Sequence, residues 1–224
     1  MSECIVYRGF CILHFAFSIV FMRILFLDIA SHTGLLACVQ DDGVCSSRVI
    51  DQRIRDHELV MLAEESLAEA GWQYRDLTHV ACVTGPGGFT SLRVGAAFIN
   101  TLADQLKIPV AGIHLSDLCA ARSAAKGDFL WLHSTKAQEL FVRGFGSFAP
   151  LWSAPILLTL SDAVRHVPAG APWVGELLPA QRDALVSLHL QETAMLPVSD
   201  ILPALLKHQS FHLVPIQPWY GRNG

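Results

Sequence analysis

The run Ile24-Leu25-Phe26-Leu27-Asp28-Ile29 is apolar at every position but one. A strand wetted on one face alternates apolar and polar residues, so an unbroken run belongs to a strand covered on both faces. That requirement points to a layered α/β fold. Leu35 to Val39 reads as a second strand and Val44 to Ile50 as a third. Asp41-Asp42-Gly43 between them is hairpin chemistry, because Gly and Asp tolerate positive φ. Three strands in tight succession predict an antiparallel meander.

The apolar period then changes. Leu59, Leu62, Ala63, Ser66, Leu67 and Ala70 follow the i, i+3, i+4, i+7 spacing of one helix face, with Asp56 a candidate N-cap and Gly71 a candidate C′ residue. Val60 and Met61 lie off that stripe. They either widen the core face or form a second, partner-binding face. His79 to Thr84 is a further strand, and Ser91 to Leu106 a helix apolar nearly all round, predicted to be buried. Lys107 suits its C-terminus, and Pro109 follows the break. Val110–Ile113 and Ser116–Ser123 complete the order βββαβαβα, a ribonuclease-H-like pattern rather than a simple Rossmann unit.

Beyond Lys126 the pattern weakens under Pro150, Pro155, Pro168, Pro172 and Pro179. Phe129–His133 and Glu139–Phe145 predict paired strands, and Ile156–Leu160 another. Ser161 is a candidate cap of a short helix, and a last helix runs from Ser199 to Lys207. No internal repeat stands out. The expected organisation is an extension over 1–21, an N-terminal domain over 22–125 and a smaller, divergent α/β lobe over 126–224.

Ile5 to Phe21 is apolar apart from Arg8 and His14. It lacks a small-x-small cleavage pattern and is short for a span, so Met22 is the expected initiator, with a membrane anchor as the alternative. Hydrophobic residues make up 52% and charged residues 16%, which excludes intrinsic disorder. The net charge of −4 has the wrong sign for a chain that grips a phosphate backbone alone. None of the six cysteines forms C-x-x-C, so a reducing, cytoplasmic setting is expected.

Three segments carry candidate chemistry. Gly85-Pro86-Gly87-Gly88-Phe89-Thr90-Ser91-Leu92-Arg93-Val94-Gly95 joins a strand to a helix. Its N–H groups and helix N-terminus favour an anion, with Gly85, Pro86, Gly87, Gly88, Thr90 and Arg93 as candidate contacts. No lysine follows the glycines, so it is not a Walker loop, and close helix–strand packing explains the same glycines. Asp28 at a strand end could hold metal-nucleotide or close a turn. Ile29-Ala30-Ser31 follow it, with no glycine to admit phosphate. His57-Glu58-Leu59-Val60-Met61 begins like H-E-x-x-H but ends in a thioether, a poor substitute at a zinc site. The other histidines stand singly, and no metal ligand set is expected. A G-x-S-x-G elbow is missing too.

These residues resemble the TsaB (YeaZ) family. The resemblance lies in Leu25–Ser31, in His57 opening an acidic helix, and above all in the glycine segment, where that family has G-P-G-S-F-T-G-L-R-I-G. This chain differs there at Gly88, Ser91 and Val94. Pro218-Trp219-Tyr220-Gly221-Arg222 is similar to the family's P-x-Y-x-R tail. A departure lies in Leu132-His133-Ser134-Thr135-Lys136-Ala137-Gln138-Glu139-Leu140-Phe141, where the family usually reads D-A-R-R-G-E-V-Y, so that acid and the paired arginines are missing here. The resemblance implies an actin-like ATPase fold with Asp28 as a vestigial strand-end acid. It also implies a non-catalytic subunit in making N6-threonylcarbamoyladenosine in tRNA. The implied partners are a TsaD-like paralogue and a TsaE-like ATPase, with a homodimer also open, and tRNA reached only through the complex. It places partner contacts on the two helices, at His57, Val60, Met61, Glu64 and Phe98, and leaves open a nucleotide at that joint surface. The rival readings are a stand-alone ATPase or a protease acting on its paralogue, and a membrane-tethered binding module.

Overall fold

β1 (Arg23–Asp28) is covered on both faces, as its composition requires: Ile24 and Phe26 are buried in one core, Leu25 and Leu27 in another. It pairs antiparallel with β2 (Gly34–Gln40), and β2 with β3 (Gly43–Ile50). The turn between them uses no positive φ at Asp41, Asp42 or Gly43, contrary to the expectation for that tripeptide. Instead the register slips by one residue between Cys38 and Val39, leaving Cys45 as a bulge that supplies local twist. The computed structural model describes residues 22–50, 56–125 and 127–221. The expectations for residues 1–21 therefore lie outside the described residues. Among the described residues, no helix is long and apolar enough to cross a membrane.

α1 (Asp56–Glu69) turns the expected stripe inward, with Leu59, Ala63, Ser66 and Leu67 buried, and Asp56 is already its first helical residue. It ends in a Schellman motif: Trp72 N–H donates to Leu67 O (2.8 Å) and Gly71 N–H to Ala68 O (3.0 Å). β4 (His79–Gly85) lies parallel to β1, and β5 (Val110–His114) parallel to β4. Between them α2 (Phe89–Leu106) starts two residues before the expected Ser91, with Gly88 at its N-cap. Contrary to the expectation from its composition, its apolar surface is not all buried. Only Leu92, Gly95, Ala96 and Ile99 are; Val94, Phe98 and Leu102 are half-buried and Ala97 is exposed, because nothing among the described residues covers that side. α3 (Leu115–Arg122) closes the first lobe, whose strand order is β3-β2-β1-β4-β5.

The second lobe repeats the plan. β6 (Phe129–His133), β7 (Glu139–Phe145) and β8 (Ile156–Thr159) form an antiparallel meander; β9 (Pro172–Glu176) adds parallel to β6, and β10 (Gln191–Glu192) parallel to β9. The order β8-β7-β6-β9-β10 matches the first sheet strand for strand. α4 (Leu160–His166), α5 (Pro179–Leu185) and α6 (Val198–Lys207) fall where α1, α2 and α3 fall in the first lobe. The duplication is one of topology, which is why no repeat shows in the residues. Thr159, not Ser161, caps α4: its Oγ1 accepts from the Asp162 N–H at 3.1 Å.

The helices and sheets stack in five layers. α1 and α2 cover the outer face of the first sheet, α4 and α5 that of the second. α3 and α6 lie between the sheets, where Phe26, Leu118, Trp131, Phe141, Val174, Leu202 and Leu206 share one core. The strands divide at residue 126 into two sheets, but α6 packs against β2 and β3 of the first. The chain beyond α6 also returns to the first lobe, with His212 bridging to Val110 and Trp219 N–H donating to Thr84 O.

Candidate functional site

The glycine segment leaves the C-terminal end of β4 and packs tightly on three sides. A Cβ on Gly87 would stand 2.9 Å from the backbone at Ala30 Cα, so that position needs hydrogen for the turn and the chain after β1 to meet; one on Gly95 would press the Ile29 side chain, 2.8 Å from its Cδ1. Gly85 and Pro86 are buried, with the Trp219 carbonyl against Gly85. Only Gly88, Phe89 and Thr90 open to solvent at the helix start. Exposed Arg93 lies beside it: its guanidinium stands over the Phe89 ring at 3.9 Å, and its Nε–H donates to Tyr220 Oη at 3.3 Å. The Pro-Trp-Tyr tail thus forms a wall of this segment. The Trp219 ring is wedged 4.6 Å from His114 and 5.8 Å from Phe141.

Asp28 is 1% exposed. Its Oδ1 accepts the N–H of Ala30 (2.9 Å) and of Ser31 (3.1 Å), and its Oδ2 accepts the Ser31 hydroxyl. Burial pushes its pKa up, opposed by those hydrogen bonds and by the Arg122 charge. Both carboxylate oxygens are used to close the turn after β1.

That turn places His32 in the cleft between the lobes. Read along the chain the histidines stand singly, but folding brings His32, His133 at the end of β6 and Glu176 at the end of β9 together, with their ligating atoms within 4.8 Å of one another. Glu176 Oε2 accepts the His32 N–H at 2.8 Å, and the His32 Nε2 meets the Ser134 carbonyl at 2.8 Å. Burial, with His32 and His114 nearby, pushes the His133 pKa down to about 3. Burial raises the Glu176 pKa, against the pull of the His32 N–H and ring. No spacing motif announces this group; its residues come from three strand ends. Ser134 binds the same corner together: its Oγ accepts the Leu178 N–H at 2.7 Å.

The outer face carries the remaining candidates. Val60 is 42% and Met61 57% exposed, and Glu64 is exposed beside them. Between α1 and α2 runs an apolar groove of about 690 Å³, lined among others by Val60, Tyr74, Val94, Phe98 and Leu102. His57 falls in the first turn of α1; the expectation for its side chain lies outside the described residues. Sequence periodicity left Val60 and Met61 between core and surface, and the fold puts them on the surface. The uncovered side of α2 is what the apolar pattern alone missed, reading it as buried; the resemblance pointed to it through Phe98.

Comparison with known proteins agrees with this architecture. The family model of TsaD, tRNA N6-adenosine threonylcarbamoyltransferase, matches residues 50–145. A tRNA N6-adenosine threonylcarbamoyltransferase of Neisseria meningitidis is 38% identical over 132 residues, 54% of this chain and 35% of that protein. The chain therefore spans about a third of the length of the curated relatives it matches. Among solved structures, an uncharacterized Pseudomonas aeruginosa protein with similarity to the peptidase YeaZ superposes with a TM-score of 0.66 at 16% identity, covering 90% of this chain and 100% of that one. YeaZ from Pseudomonas aeruginosa does so with a TM-score of 0.60 at 18% identity, covering 87% and 99%. The chain thus has the two-lobed fold of YeaZ, and its residues 50–145 are similar in sequence to the TsaD threonylcarbamoyltransferase family.

Proposed function

We propose that this chain serves in the formation of N6-threonylcarbamoyladenosine in tRNA as a non-catalytic docking subunit. Its α1/α2 face, with Val60, Met61, Glu64 and Phe98 and with His57 at its edge, is the seat for a TsaD-like paralogue. The observation that carries this reading is that face: apolar residues stay exposed on two adjacent helices, around an apolar groove. The glycine segment supports it, because its glycines serve packing and its arginine is held by Phe89 and Tyr220. The net charge of −4 supports tRNA contact through the complex rather than by this chain alone. A TsaE-like ATPase joins the pair, a second copy of this chain competes for the same face, and the assembly works in the cytoplasm.

The test is co-purification with a TsaD-like protein, followed by reconstitution of the modification with and without this chain. Stable association and a reaction that depends on this chain are expected. A full-strength reaction without it refutes the proposal. So does nucleotide or peptide hydrolysis by the isolated chain, which would favour a stand-alone ATPase or protease.

A further inference from the structure

Ligands of layered α/β folds sit at the carboxyl ends of the strands, and β1, β6 and β9 end around a single point between the lobes. His133, the last residue of β6, is fully buried there. Neither its Nδ1 nor its Nε2 has a hydrogen-bond partner among the described residues. A buried imidazole with both nitrogens unsatisfied is a costly arrangement, and proteins keep such groups for a reason. Its nearest acid, Glu176, holds Oε2 at 3.6 Å from the His133 Nδ1, beyond hydrogen-bond distance. His32 completes the group, and its surroundings prepare it: with the Nε2 proton donated to the Ser134 carbonyl, Nδ1 keeps the lone pair. A backbone carbonyl holding the far nitrogen of an imidazole is the usual outer support of a metal-binding histidine.

We propose that His32, His133 and Glu176 bind a divalent transition-metal ion, zinc in the first instance, across the cleft between the two lobes. Two imidazoles and one carboxylate suit zinc and its first-row neighbours, whereas magnesium and calcium prefer oxygen alone. Zinc bonds of about 2.0–2.1 Å at tetrahedral angles put ligand atoms roughly 3.3 Å apart. The His133–Glu176 spacing of 3.6 Å is already close to that edge. All three ligand atoms lie within 4.8 Å of one another, and a small movement of the half-buried His32 loop or the Glu176 side chain brings them to that edge. Three protein ligands leave a fourth position for water. Because His32 belongs to the first lobe and the other two to the second, the ion fastens the lobes together. This site is independent of docking on α1 and α2, and no catalysis is assigned to it.

The experiment uses the full chain, freed of metal with a chelator and titrated with Zn²⁺ or Co²⁺ alone. Binding is read by equilibrium dialysis, by the visible spectrum of Co²⁺ and by thermal melting. One equivalent with a tetrahedral or five-coordinate Co²⁺ spectrum and a raised melting temperature are expected. His133→Leu, Glu176→Gln and His32→Asn should each weaken binding at least about tenfold, since loss of an outer support alone costs that much. Metal-free melting shows which variants fold, and the two polar substitutions decide the matter if His133→Leu does not. Absence of binding, or binding unchanged by Glu176→Gln and His32→Asn, as exposed histidines such as His212 would give, overturns the proposal.

Discussion

Replacing Gly87 by alanine tests whether the glycine segment exists for packing. The added methyl would meet Ala30 at 2.9 Å from Cα, 3.1 Å from the carbonyl oxygen and 3.2 Å from Cβ. Ala30 has little room to retreat, being 4% exposed and tied through its N–H to Asp28. The glycine segment is restrained on its other side by the Trp219 carbonyl against Gly85. Relief must come from backbone shifts of a few tenths of an ångström, and overpacking of this kind costs about 1–3 kcal/mol. In a chain of this size a loss of about 2 kcal/mol lowers the melting temperature by about 4–8 °C. Gly88→Ser is the matched control. Its Cβ would meet only the Ser91 side chain, at 3.4 Å, and its φ of −61° and ψ of 130° suit any residue. A serine there caps α2 and gains a few tenths of a kcal/mol. Urea unfolding followed by tryptophan fluorescence, alongside thermal melting, measures both. Gly87→Ala within about 0.5 kcal/mol of the parent, or Gly88→Ser as damaging as Gly87→Ala, refutes the packing argument.

Three further outcomes are expected. Leu202→Ala in α6, at a position with 0% exposure between the two sheets, should cost about 2–5 kcal/mol in urea unfolding, and a loss below about 1 kcal/mol would deny α6 its place in the shared core. Burial pushes the His114 pKa down to about 4, opposed by the Asp117 charge and aided by Arg143, and its Nδ1 accepts the Ser116 N–H that caps α3. The unfolded chain then binds the proton more readily, so this contribution is complete above about pH 6.5 and is lost as pH falls from 6.5 towards 4, by up to about 3 kcal/mol; His114→Asn should flatten that part of the pH–stability curve, and an unchanged curve contradicts it. Arg143→Ala removes the 2.6 Å contact from β7 to Asp117 on α3 and should cost about 1–3 kcal/mol, read as a lower urea midpoint; no change would mean that this link between the lobes is idle.

The first lobe was readable because its central strands are buried on both faces and its helix periods are regular. Ile24–Asp28 declares a central strand, and the 3.6-residue stripe of α1 declares its inner face. The second lobe hid for a physical reason. β9 opens on Pro172 and contains Gly175, both of which read as breaks, yet the strand runs parallel to β6 and needs no long apolar run. α2 misled in the opposite direction: its all-round apolar surface signals burial, and part of that surface is left uncovered by the described residues. The cleft cluster was out of reach altogether, since His32, His133 and Glu176 share no local pattern and meet only when two topologically equivalent sheets face each other. The role of the tail was half legible: the Pro-Trp-Tyr residues stood out, but not their packing against Gly85, Phe89 and His114.

The central claim is that the exposed apolar face of α1 and α2 is a seat for a paralogous partner. Its most direct measurement is the affinity of the purified chain, and of its Val60→Asp and Met61→Asp variants, for a TsaD-like protein, with circular dichroism and melting run in parallel. A carboxylate forced into a dry contact costs about 2–5 kcal/mol, so binding at least about thirtyfold weaker with an unaltered monomer is predicted. Equal affinity for parent and both variants, or no association of the parent chain at all, would contradict it.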